Sequence, residues 1–199
     1  MKLIIMTKST FFVEEDKILT ALFDEGLDNL HLYKPGAAPM YSERLLTLLP
    51  EECYDHITVH EHFYLKEEYG LRGIHIDDAT TPIPEKYKGR LCRTVTLADN
   101  IKEAKKKCDY IFLKNVFADV DGDGQADKYE LENAARRGLI DKRTYAMGGA
   151  NLDNIKFAKD LGFGGVVIGD DLWDRFDIHH QLDYKELINH FDKLKKALG

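Results

Sequence analysis

The sequence predicts an α/β protein folded as a single (β/α)8 TIM barrel over residues 1–199. Three observations predict it. Eight short apolar or β-branched runs recur along the chain. A helical pattern follows most of them. No linker, low-complexity tract or charge block divides the sequence, so one domain is expected. A doubly wound open sheet is the competing arrangement. The first run lacks the Gly-x-Gly-x-x-Gly turn with which such a sheet holds a dinucleotide.

The elements follow in order. A strand over residues 3–6 precedes a helix over 14–23. Strand 29–33 precedes helix 42–49, and strand 56–60 precedes helix 62–69. Strand 73–77 is followed by residues 78–89, where Pro82 and Pro84 predict a loop. Strand 91–95 leads to helix 97–107, and strand 109–113 to helix 128–137. Strand 144–147 leads to helix 152–161, and strand 165–168 to a final helix over 184–198.

Composition bounds the function. At 199 residues, 44% hydrophobic and 32% charged, the chain can bury a large core and is not disordered. The balance is 28 basic against 35 acidic residues, a net charge of −7. No basic block is longer than Lys105-Lys106-Lys107, which lies on a helical pattern, so a nucleic-acid partner is not expected. No stretch approaches the roughly 20 apolar residues of a membrane span, and the apolar run at the N-terminus is too short for a signal peptide. Cys53, Cys92 and Cys108 are odd in number and far apart, which argues for a reduced, cytoplasmic protein. A soluble, cytoplasmic enzyme is expected, with a homodimer left open.

A parallel barrel carries function at the carboxyl ends of its strands. Period-two alternation sorts the side chains there. In Leu30-His31-Leu32-Tyr33, His31 and Tyr33 fall on the axial side. Thr58 and His60 do so on the third strand, His75 and Asp77 on the fourth. A plain core would want Val or Leu there, because buried polar groups are costly unless partnered. Polar side chains on three neighbouring strands therefore mark a site.

Three motifs carry chemistry. The seventh strand ends in Gly148-Gly149 and the eighth in Gly169. Glycine lets main-chain amides approach an anion, so these three are candidate phosphate ligands. A tight turn capped by Asn151 is the alternative, and Asp170, Asp171 and Asp174 bring negative charge nearby. Next, His60-Glu61-His62 converges with His75 and Asp77. The carboxylates of Glu61 and Asp77 suit Mg2+, whereas imidazoles suit zinc. Alternatively, Glu61-His62 opens the third helix and the histidines are hydrogen-bonded barrel residues. Last, Asp119, Asp121, Asp123, Gln125 and Glu130 occupy positions 1, 3, 5, 7 and 12 of a calcium-loop pattern, with Gly124 at 6. The preceding run reads as a strand, so this is not a helix–loop–helix unit. Asp127-x-x-Glu130 also fits a helix capping box. Lys34, before Pro35, could reach a phosphate or simply be solvated. Trp173 and Phe176 read as packing, and His179-His180 as surface.

The order of these motifs carries a family resemblance. Leu30-His31-Leu32-Tyr33-Lys34-Pro35, Val59-His60-Glu61-His62, Gly73-Ile74-His75-Ile76, Asp109-Tyr110-Ile111-Phe112-Leu113, Ala146-Met147-Gly148-Gly149 and Gly164-Gly165-Val166-Val167-Ile168-Gly169 run as in the thiamine phosphate synthase / TenI family. The chain most resembles its divergent Bacteroides-type members, which share segments like Phe-Phe-Val-Glu-Glu-Asp and Glu-His-Phe-Tyr-Leu-Lys-Glu-Glu. The resemblance implies a (β/α)8 barrel that joins hydroxymethylpyrimidine pyrophosphate to thiazole phosphate with Mg2+. It implies catalytic roles for His31, Lys34, His60 and Glu61. TenI proteins instead tautomerise the thiazole phosphate, and a non-catalytic barrel binding a phosphate or Ca2+ is a further alternative.

The departures are specific. The family's strand-two Gln-x-Arg-x-Lys becomes His31-Leu32-Tyr33-Lys34-Pro35, which loses the arginine and displaces the lysine by one. The metal-binding Asn-Asp becomes His60-Glu61. The second metal acid falls on Thr80 by strict counting, with Asp77 and Asp78 near. The serine ending strand five falls near Arg93-Thr94. The cationic pyrophosphate stretch is replaced by the acidic segment from Asp119 to Asp127, which would repel pyrophosphate unless a bound cation inverts the sign.

Overall fold

A computed structural model describes residues 1–78, 80–120, 122, 124–177, 180 and 183–199. Eight parallel strands close into one barrel in sequence order. They are β1 (Lys2–Met6), β2 (Leu30–Leu32), β3 (Ile57–Val59), β4 (Gly73–Ile76), β5 (Arg90–Val95), β6 (Tyr110–Leu113), β7 (Thr144–Ala146) and β8 (Gly165–Ile168). β8 pairs with β1 from Lys2↔Gly165 to Ile5↔Ile168, which closes the ring.

Helices cover the outside: α1 (Glu15–Asp24), α2 (Pro39–Leu48), α3 (Tyr64–Tyr69), α4 (Ile101–Lys107), α5 (Lys128–Arg136), α6 (Ile155–Leu161), α7 (Asp170–Trp173) and α8 (Lys185–Leu198). Every expected strand and helix is present, and the connection after β4 is a loop. Two short elements depart from expectation. Glu51–His56 is a 3-10 helix that takes in His56, the first residue of the expected third strand, and α7 follows β8 directly. Both span only one or two turns, too short to leave a period in the sequence.

Strand alternation builds two separate cores. Leu30, Leu32, Ile57, Val59, Ile74, Ile76, Ile111, Leu113, Val166 and Ile168 join the layer between strands and helices. Ile4, Cys92, Tyr110, Phe112 and Val167 form a second cluster on the barrel axis. His31 and His75 lie between outward-facing leucines and isoleucines and are fully buried on that axis. The helices dock through stripes at helical spacing, such as Leu187, Phe191, Leu194 and Leu198 on α8.

The ends of helices are fixed locally. Asn100 caps α4 by accepting from the Glu103 amide at 3.2 Å. Asp127 and Glu130 cap α5 reciprocally, at 2.7 and 2.9 Å. Trp173 is buried and its Nε1 donates to the Met6 carbonyl at 2.7 Å, which confirms it as packing. Among the described residues no helix is long and apolar enough to cross a membrane. Cys53, Cys92 and Cys108 are free and buried.

Candidate active site

Three neighbouring strands deliver imidazoles to one point on the axis. His31 (β2), His60 (just after β3) and His75 (β4) each offer a ring nitrogen, and these atoms lie within 4.8 Å of one another. His31 Nδ1 lies 2.9 Å from His60 Nε2, and His60 Nδ1 lies 2.8 Å from Asp77 Oδ1. The other nitrogen of His31 meets the Tyr110 hydroxyl at 2.8 Å. Asn29 Nδ2 donates to that same hydroxyl at 3.0 Å, and Thr58 Oγ1 donates to Asn29 Oδ1 at 3.3 Å. His75 Nε2 meets Thr94 Oγ1 at 2.8 Å, while its Nδ1 is buried without a partner among the described residues. The rings of His60 and His75 stack at 4.1 Å and 16°, so their lone pairs run side by side rather than converging on a tetrahedral centre.

Burial sets the charge of this cluster. Desolvation first, and the neighbouring His60 second, hold His31 and His75 well below the ordinary imidazole value. Both are therefore neutral in the folded protein near pH 7. Desolvation likewise pushes the Tyr110 phenol up, so it stays a hydrogen-bond donor.

The polar file emerges at the mouth. The His60 side chain is 0% exposed, whereas Asp77 is 42% exposed. Glu61 stands close by. Its Oε2 accepts the Lys34 amide at 3.1 Å, and its carboxyl is raised by desolvation and further by the charge of Asp77. Tyr33 completes the rim; its ring centroid lies 5.2 Å from that of His60. Two hard-oxygen acids thus share the carboxyl end of the barrel, a donor set that suits Mg2+. Asp78 is engaged elsewhere, accepting the amides of Thr80 and Thr81 at 2.6 and 3.0 Å.

Lys34 is not where the sequence suggested. Its ammonium is buried against Glu15 Oε1 at 2.6 Å and the Thr10 carbonyl at 2.9 Å, and Phe11 covers it at 4.5 Å. A phosphate at the mouth cannot reach it in this arrangement. Sequence reasoning missed Glu15, although it falls on the stripe Glu15, Ile18, Leu19, Leu22 that α1 buries. It also gave no role to Tyr110 or Asn29. Tyr110 was open to the alternation that found His31, because it shares an axial position with Phe112.

The glycine corner lies across the mouth. Gly148 and Gly149 have φ of 98° and 69°, the left-handed region that favours glycine. A Cβ on Gly148 would stand 2.9 Å from the Ala118 carbonyl, and one on Gly149 would stand 2.7 Å from the Ala118 Cβ. The turn is thus packed under residues 115–118, with Phe117 donating to the Gly148 carbonyl at 2.9 Å. Asn154 Nδ2 takes the Gly149 carbonyl at 2.8 Å, and Asn151 Oδ1 accepts the Asp153 amide at 2.9 Å, as a capped turn requires. Gly169 differs, because a Cβ there would meet nothing within 4 Å. Of the acids beside it, Asp171 turns to His190 on α8 at 2.7 Å.

In the acidic segment, Asp119 accepts the amides of Gly122 and Gly124 at 2.8 and 3.1 Å. Glu130 is engaged in the α5 capping box, and Gln125 is exposed. Asp121 and Asp123, expected as calcium ligands, lie outside the described residues, as does His179. Asn115, with φ of 59°, anchors the segment, and its carbonyl accepts the Ala126 amide at 3.0 Å.

This geometry defines a single-domain parallel (β/α)8 barrel with two acids and a glycine-lined corner at the carboxyl ends of its strands. A thiamine phosphate pyrophosphorylase from Bacteroides thetaiotaomicron is 46% identical, with a TM-score of 0.89 over 99% of this chain and 97% of that one. The chain belongs to the thiamine phosphate synthase family. A thiamine phosphate pyrophosphorylase from Pyrococcus furiosus is 19% identical, with a TM-score of 0.73 over 100% of this chain and 97% of that one. A 3-hexulose-6-phosphate synthase from Salmonella typhimurium shares the fold at 13% identity and a TM-score of 0.67, over 100% of this chain and 98% of that one. No family model and no curated protein matches the chain.

Proposed function

We propose that the protein is a thiamine phosphate synthase that joins hydroxymethylpyrimidine pyrophosphate to thiazole phosphate. The carbon–oxygen bond to pyrophosphate breaks, and the thiazole nitrogen forms the new carbon–nitrogen bond. The observation that carries this reading is the 46% identity to a thiamine phosphate pyrophosphorylase along 99% of the chain.

The mouth supports it chemically. Glu61 and Asp77 are the residues that would hold Mg2+. Bound there, the ion would neutralise the charge that builds on departing pyrophosphate. Main-chain amides at Gly148, Gly149 and Gly169 are assigned the thiazole monophosphate. Tyr33 lies beside both acids and would border the pyrimidine. His31 and His60 have both ring nitrogens engaged by protein groups, so they position rather than attack. A tautomerase using His31 or His60 would need one of those nitrogens free to face its ligand; among the described axial imidazoles only His75 Nδ1 lacks a partner, and that ring is fully buried. Lys34 holds the β2 end and α1 together instead of gripping an anion.

The test is a direct assay with both substrates, with and without Mg2+, reading thiamine phosphate and pyrophosphate. Product is expected only when all three are present, and Glu61→Ala should lose most of it. No product from the unaltered protein, or full Mg2+-dependent turnover in Glu61→Ala, would refute the assignment.

A further inference from the structure

We propose that the groove between β5 and α4, on the outside of the barrel, is a binding site for a small oxyanion, a carboxylate or phosphate group on a compact apolar body, with Arg93 as its main ligand. The site is separate from the acids at the mouth and does not depend on how they act.

The placement follows from strand alternation. Leu91 and Val95 join the layer between strands and helices, and Cys92 joins the axial cluster. Arg93 therefore points outward among apolar residues. Thr94, the next residue, points inward to His75. A groove of about 240 Å³ opens over Arg93, lined by Val95, Asn100, Glu103, Ala104 and Lys107. It takes residues from β5 and α4 and none from β6. It thus lies on the flank of α4 nearest the β4–β5 connection, which carries no helix among the described residues to fill it.

The chemistry of the groove selects the ligand. Arg93 Nε is buried and has no hydrogen-bond partner among the described residues. A buried donor without an acceptor is costly, so the position calls for one. An oxyanion can accept from Nε–H and a neighbouring Nη–H together, the paired contact that the planar guanidinium favours. The two acids on the wall are engaged elsewhere. Asp99 accepts the Thr96 amide at 2.6 Å, and Glu103 pairs with Lys106 at 2.8 Å. Lys107 is exposed and adds a second cation to the lining. Val95 and Ala104 are buried and give the body of the ligand an apolar floor. The volume falls below the roughly 300–1,000 Å³ of drug-sized sites, which limits the ligand to a small molecule.

The experiment uses the full chain labelled uniformly with 15N. Sodium phosphate and sodium butyrate are titrated separately, each against sodium chloride at matched ionic strength. The Arg93 Nε–H signal and the amides of Val95 and Glu103 should shift and saturate with at least one of the two anions. A response to phosphate and not butyrate assigns the phosphate class, and the reverse assigns the carboxylate class. Arg93→Gln should weaken the response of the two amides by about 10-fold or more. Arg93→Lys keeps the charge but loses the fork, and should not restore it. Lys107→Ala, at an exposed position, should weaken binding about 2- to 5-fold. The Nε–H signal of the unaltered protein and Lys107→Ala keep the test decisive if Arg93→Gln does not fold. No saturable shift with either anion, an equal shift with chloride, or an unchanged titration in folded Arg93→Gln would overturn the proposal.

Discussion

The ammonium of Lys34 lies 2.6 Å from Oε1 of Glu15, with the two side chains 1% and 2% exposed. Desolvation raises the Glu15 carboxyl and lowers the Lys34 ammonium, so burial outweighs their mutual attraction on both sides of the pair. Glu15 Oε2 has no hydrogen-bond partner among the described residues. This pair ties α1 to the end of β2 at a cost in desolvation.

Removing one partner should therefore hurt more than removing both. Lys34→Met leaves a buried carboxylate and is expected to lose about 3–5 kcal/mol of stability. The double variant Glu15→Leu with Lys34→Met should recover most of that loss. Urea unfolding of the three proteins at pH 7 measures it. A double variant no better than the single one would contradict this account.

The axial histidines predict an acid-sensitive fold. Their folded values are depressed, so below about pH 6.5 the unfolded chain binds protons that the folded one refuses. Stability should hold above that pH and fall beneath it. The slope should approach about 1.4 kcal/mol per pH unit for each of His31 and His75. Denaturant midpoints between pH 7.5 and 5 check the sign, and His75→Gln should flatten the curve.

The α5 cap predicts a loss that needs no cation. Asp127→Ala should cost about 1 kcal/mol, because the Glu130 amide loses its acceptor. The loss should be the same in EDTA as in Ca2+, as measured by thermal unfolding. A loss that appears only in Ca2+ would instead make Glu130 and its neighbours calcium ligands.

Tight packing at the foot of β8 predicts a folding defect. A Cβ on Gly164 would lie 1.9 Å from the Lys142 carbonyl, which is backbone and cannot swing aside. Gly164→Ala should lose more than about 4 kcal/mol or fail to accumulate as folded protein. Circular dichroism of the purified variant decides this.

The barrel was legible because its strands alternate cleanly. Leu30 and Leu32 face the helices and His31 the axis, and the same rule located Thr58, His60 and His75. What the rule gives is a direction, not a partner. It put His31 inward but could not say that Tyr110, 79 residues away, would meet it. Lys34 was misjudged for a related reason. A lysine at a strand end is usually solvated, and only the packing of α1 brings a buried acid to it. The acidic segment had two local readings. Its capping box rests on contacts three residues apart, which sequence can carry, whereas ion coordination depends on how a whole loop closes.

The pairing of β8 with β1 leaves the sheet without a free edge. Among the described residues no strand offers an unpaired ladder to another molecule, so the barrel strands are closed to association by strand addition. Any self-assembly must instead be built from helix faces and connecting loops, and a surface mutation that blocks it should leave the ring untouched.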